Sequence, residues 1–129
     1  LWSADGVVDF FPPSNPAHVS HSISNYQNGR RTQGNKITVR SISYQTLCDK
    51  YFRGKPPQLI KLDIEGAEVH VLSQILKNPP SQILVEFDEL ALRDRRSIKD
   101  WRNAHRALIS AGFVCVHHER FDFSYLRSE

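Results

Sequence analysis

The chain has 129 residues, 40% hydrophobic and 24% charged, which is enough apolar material for one domain with a core of its own. No run approaches the ~20 apolar residues that a membrane-spanning helix needs. The formal charge of +3 is spread over short groups, Arg30-Arg31, Arg93 with Arg95-Arg96, and Arg102 with Arg106, without interleaved aromatics, so solvated faces are expected and a nucleic-acid partner is not.

The opening LWSADGVVDF has neither the basic start nor the apolar centre of a signal peptide. Cys48 and Cys115 stand far apart and no N-x-S/T sequon occurs, so nothing demands an oxidising compartment, and a cytoplasmic location is expected. The chain contains no methionine and begins at Leu1, which suggests a single, partial domain over residues 1–129, cut from a longer polypeptide.

Taken in order, Leu1 to Pro13 predicts a hairpin: a strand, an Asp5-Gly6 turn and a second strand ended by Pro12-Pro13. Residues 14 to 35 are rich in Ser, Asn, Gly and Pro and predict a long loop. Lys36 to Arg40 alternates as a strand, and Ser43 to Phe52 suits a short helix capped by Ser41 or Ser43. Beyond Pro56-Pro57, Gln58 to Ile64 reads as a strand and Glu65-Gly66 as a turn. Ala67 to Leu76 is then a helix with Val69, Leu72, Ile75 and Leu76 on one stripe. Pro79-Pro80 ends it, and Gln82 to Phe87 is the next strand, so this strand-helix-strand unit predicts a parallel pair.

Further on, Ser97 with Asp100 suggests a capping box, and Ile98, Trp101, His105, Leu108 and Ile109 keep helical spacing until Gly112. Phe113 to Val116 and residues 121 to 126 (FDFSYL) should form a terminal antiparallel hairpin. The pattern as a whole is α/β.

The strand LIKLDI carries charges where burial is expected. Period two places Leu59, Lys61 and Asp63 on one face and Ile60, Leu62 and Ile64 on the other, with Asp63 the last inward polar group before the turn. Ligands of open parallel sheets bind beyond the carboxyl ends of the strands, where Asp63 and Glu65 stand, and Glu86 takes the matching place on the neighbouring strand. From spacing alone, a plain ion pair of Lys61 with Asp63 explains the charges slightly better than catalysis does. His117-His118-Glu119 is a poor metal site, since adjacent strand residues point to opposite faces, and no metal is expected.

IKLDIEGAEVHVLSQIL followed by PPSQILVEFDE resembles the K-x-D-x-E-G-x-E signature and succeeding L-x-E strand of the FkbM family of S-adenosylmethionine-dependent methyltransferases. LWSADGVVDFF is similar to that family's A-L-x-x-x-D-G-x-x-x-F segment, and LISAGFVCV to its closing helix-Gly-strand. The resemblance implies a Rossmann-like methyltransferase sheet, mostly parallel with a terminal antiparallel hairpin. The first βαβ half would be lacking, because none of the six glycines stands in a G-x-G turn. It also implies S-adenosylmethionine as cofactor and methyl transfer to a hydroxyl or amine of a small-molecule or glycan-type acceptor.

By position, the resemblance assigns catalytic roles to Asp63, Glu65 and Glu86 and cofactor contacts to Asp63, Trp2 and Ser3. It places the loop holding His18 and His21 over the acceptor. Two other readings of the same residues are a non-catalytic interaction domain that keeps the sheet without the cofactor, and a metal-assisted enzyme using Asp63, Glu86 and Asp88. The 129 residues alone are expected to bind the cofactor poorly and to be inactive.

Overall fold

The structure, a computed structural model, describes residues 1–13, 17, 21–23, 26–27, 30–31, 35–64, 66–88, 90 and 94–128. His18 and Glu65 lie outside the described residues.

Strand β1 (Gly6–Phe10) pairs antiparallel with β4 (Ile37–Ser41), Val8 opposite Val39. The hairpin expected within residues 1–13 is therefore not formed. Asp5, assigned to its turn, is occupied elsewhere: its Oδ1 accepts from the backbone N–H of Ser43 at 2.7 Å and its Oδ2 from the Thr46 hydroxyl at 2.6 Å. Those bonds tie the chain start to helix α1 (Tyr44–Phe52), whose N-cap is Ser43. Between β1 and β4, the stretch expected to be loop also contains a two-residue antiparallel ladder, β2 (Tyr26–Gln27) with β3 (Arg30–Arg31).

The second sheet has four strands, β5 (Leu59–Leu62), β6 (Gln82–Glu86), β7 (Phe113–Glu119) and β8 (Asp122–Arg127), in the order β5-β6-β8-β7. β5 and β6 are parallel and adjacent, with Leu62 opposite Val85, as the short helical crossover α2 (Glu68–Ile75) requires. The remaining pairings are antiparallel, so the sheet is mixed and not mostly parallel. The reason is the tight turn at Arg120-Phe121. Helix α3 (Arg95–Ser110) carries the chain one strand past β6, and β8 folds back into the gap between β6 and β7.

Helix α3 begins three residues earlier than its apparent capping box. Asp94 is the N-cap, accepting from the N–H groups of Arg96 and Ser97 at 2.8 and 2.9 Å, and Ser97 donates its hydroxyl back to Asp94 at 2.7 Å. On α2 the most deeply buried positions are Glu68, Val71, Leu72 and Ile75, so the helix is rolled relative to the expected stripe.

One face of the large sheet is the core. Leu62, Ile83, Val85, Phe123 and Tyr125 pack there against Val71, Leu72 and Ile75 of α2 and Ala104 and Leu108 of α3. Tyr44 and Cys48 of α1, with Phe87 and Phe113, belong to the same cluster, and the Tyr44 hydroxyl donates to the carbonyl of Asn78 at 2.8 Å. The opposite face is open, with exposed Leu59, Leu126 and Val114 level with one another across the strands. Among the described residues no helix is long and apolar enough to cross a membrane.

Candidate functional site

A strand whose alternate residues are apolar on both faces can put its charges only on the side that meets water. Here the helix-covered face takes Leu62, 1% exposed, and Lys61 and Asp63 stand on the open face. Asp63 is thus not an inward group as the periodicity alone suggested. The helices decide which face is the core, and they pack behind Leu62.

At the carboxyl end of β5, Lys61 Nζ donates to Asp63 Oδ2 at 2.9 Å. The adjoining carboxylates raise the Lys61 ammonium above the usual lysine range. The bond that Lys61 donates to Asp63 contributes most, then the charge of Asp63, and the charges of Glu86 and Asp122 add to it. Those last two belong here by register: Glu86 lies opposite Asp122 and continues the β6 row next to Asp63. The ion pair is largely exposed and contributes little to stability. Its chemical effect is orientation, because Lys61 holds one oxygen of Asp63 while Oδ1 meets no hydrogen-bond donor among the described residues.

The turn that follows is held by a residue the sequence reading left without a role. Glu68, first in α2 and fully buried, accepts from the backbone N–H of Ile64 at 2.8 Å through Oε1 and from that of Gly66 at 3.0 Å through Oε2. Gly66 has φ +93°, a conformation that L side chains rarely adopt. Helix α2 has no side-chain N-cap, since its cap residue is Ala67, and the Glu68 carboxylate sits instead in the favourable field of the helix N-terminus. The E-G-x-E spacing was the available signal: a carboxylate two residues beyond a turn glycine can reach back over it.

The other predicted positions fall as follows. Glu86 ends β6 on the same side as Asp63. Trp2 forms a parallel bridge with Ser43, donates its N–H to Ile42 at 2.9 Å, and sets its ring 5.7 Å from that of His70 on α2. Ser3 is exposed, and no described contact joins it or Trp2 to Asp63. His21 is half-buried beside Ser22, which is buried and pairs with Phe11 through two backbone hydrogen bonds.

The Ser22 hydroxyl lies 3.9 Å from where a β-carbon on Gly66 would stand, so this part of the loop reaches the strand-end turn. Nothing in the local sequence foretells that approach. Among the described residues no group of three His, Cys, Asp or Glu side chains is placed to hold a metal, so Asp63, Glu86 and Asp88 do not form such a group.

A family model described as "Methyltransferase FkbM domain" matches residues 2–115. No curated protein and no solved structure matches the chain.

Proposed function

We propose, from the premise that this chain belongs to the FkbM methyltransferase family, that it takes part in S-adenosylmethionine-dependent methyl transfer to a hydroxyl or amine acceptor, with Asp63 as the residue that meets the acceptor. One observation carries the reading. A carboxylate at the end of a parallel strand has one oxygen fixed by Lys61 and the other without a donor among the described residues, on a turn clamped by a buried glutamate. Such a group fits a reaction that needs alignment and a place for one proton.

The cofactor, when bound, supplies an electrophilic methyl on a sulfonium. The work left to the protein is to hold the acceptor in line and to accept its proton. Asp63 Oδ1 is suited to a hydrogen bond from an acceptor O–H or N–H. Lys61 holds the carboxylate in place, and Glu86 and Asp122 bias the opening toward donor-bearing groups. Glu65 and His18 are assigned here by position alone; His21 has the support of Ser22 lying against Gly66.

The test is Asp63→Asn in the full-length protein. The fold and most cofactor affinity should be kept while turnover falls by roughly 10²- to 10⁴-fold, the range of a general acid-base group. Unchanged turnover would reduce Asp63 to a surface ion pair. Absence of any methyl transfer or cofactor binding by the parent would favour the interaction-domain reading. On the present reading the 129 residues alone hold the cofactor weakly, because no G-x-G turn is present to bring backbone N–H groups close to it. Micromolar binding in a calorimetric titration of the isolated chain would overturn that point.

A further inference from the structure

On the helix-covered side of the sheet, away from the Asp63 face, a cavity of about 510 Å³ opens between α3 and the β7–β8 hairpin. Its wall is a run of rings. His118 stacks on Phe123 with centroids 4.2 Å apart, Phe123 lies 5.9 Å from Trp101, and Trp101 stacks on His105 at 5.7 Å. Arg120 and Cys115 complete the lining that matters here.

The polar groups of this wall are donors. Trp101 Nε1 is shielded from solvent and has no hydrogen-bond partner among the described residues. Leaving such an N–H unpaired is costly, so the indole gains by turning toward a ligand that offers it an acceptor. His105 Nδ1 lies 2.7 Å from the Tyr125 hydroxyl. Tyr125 is fully buried, and burial holds its phenol far above the usual tyrosine range, so the hydroxyl keeps its proton and is able to donate it to Nδ1. With the hydroxyl as donor, a neutral imidazole carries its proton on Nε2, which adds a second donor to the wall.

Arg120 brings a guanidinium that forms no ion pair among the described residues, and none of the described lining side chains is acidic. The Arg120 backbone is itself fixed: φ is +53° and its carbonyl pairs with His118 Nε2 at 2.9 Å.

We infer that this cavity is a second ligand site, separate from the Asp63 strand end, and that it takes a planar aromatic carboxylate. The flat apolar part lies along Phe123, His118 and Trp101, and the carboxylate meets Arg120 and the ring N–H donors. Stacking on several rings selects planarity, and a wall of donors with a cation that is unpaired among the described residues selects an anion over its neutral isostere.

The probe is 2-naphthoate, titrated into the full-length protein and followed by the indole N–H signals in a ¹⁵N-¹H correlation spectrum, with the Trp101 signal identified by W101F. A saturable downfield shift of the Trp101 signal is expected, with a Kd on the order of 0.1 to 1 mM for a ligand of this size. The neutral 2-naphthylmethanol, and 2-naphthoate with Arg120→Gln, should each bind about tenfold more weakly, the worth of one charge-assisted hydrogen bond. No shift of the Trp101 signal at about 5 mM ligand, tens of times the tighter end of that range, would overturn the site. Equal binding of the neutral isostere would overturn the assignment of an anion even if R120Q failed to fold.

Discussion

The backbone N–H of Gly66 donates to Oε2 of Glu68 at 3.0 Å, across a turn in which Gly66 holds φ +93°. With the bond from Ile64 to Oε1, the two oxygens of one buried side chain fix the segment joining Asp63 to α2.

Glu68→Gln retains one acceptor and turns an amide N–H₂ toward the other backbone donor, and Glu68→Ala retains none. An unsatisfied buried donor costs about 1–3 kcal/mol, so Gln should lower stability by about that amount and Ala by about twice it. Urea unfolding of both variants checks the order. Equal midpoints for parent and Glu68→Ala would mean that water satisfies the turn.

Gly66→Ala has room: the nearest atom to the added methyl is Ser22 Oγ at 3.9 Å. The cost lies in the backbone, where a positive φ of this size strains any residue with a β-carbon by about 1–3 kcal/mol. A loss of stability without a change in the Glu68 bonds is expected. A variant as stable as the parent would show that the turn relaxes to another conformation.

Asp94 gives a pH dependence with a defined sign. Bonds from the Ser97 N–H and hydroxyl lower its pKa below the ordinary 3.8, and the Arg96 N–H adds to them. A carboxyl whose folded value lies below its unfolded one contributes stability that is fully present above about pH 3.8 and is lost as pH falls through the folded value. Asp5 and Asp9 are lowered in the same direction, chiefly by Thr46 and Lys36 respectively. The gap in urea midpoint between parent and Asp94→Asn should therefore be widest near pH 6 and narrow toward pH 2. Parallel curves would remove Asp94 from the acid transition.

Local rules made much of this chain legible without coordinates. Ser43 caps α1 because a short hydroxyl side chain before a helix satisfies a free N–H, and Gly112 ends α3 with φ +87°. The parallel pairing of β5 with β6 followed from a crossover too long for a hairpin and about the length of one helix. The family was legible in the residues around Asp63 to Glu68, and the family model matches residues 2–115.

What the sequence could not decide were the choices that depend on distant partners. Asp5-Gly6 carries the chemistry of a hairpin turn, yet Asp5 is drawn to α1 by two donors 38 and 41 residues away. Alternation split LIKLDI into two faces without saying which one the helices cover, so Asp63 was assigned inward although it faces water. Order β5-β6-β8-β7 and the meeting of Ser22 with Gly66 likewise arise from long-range packing. Periodicity and capping act within a few residues and leave their mark on the sequence. Pairing across tens of residues is fixed only when the helices close over one face of the sheet, and no local pattern encodes which face that is.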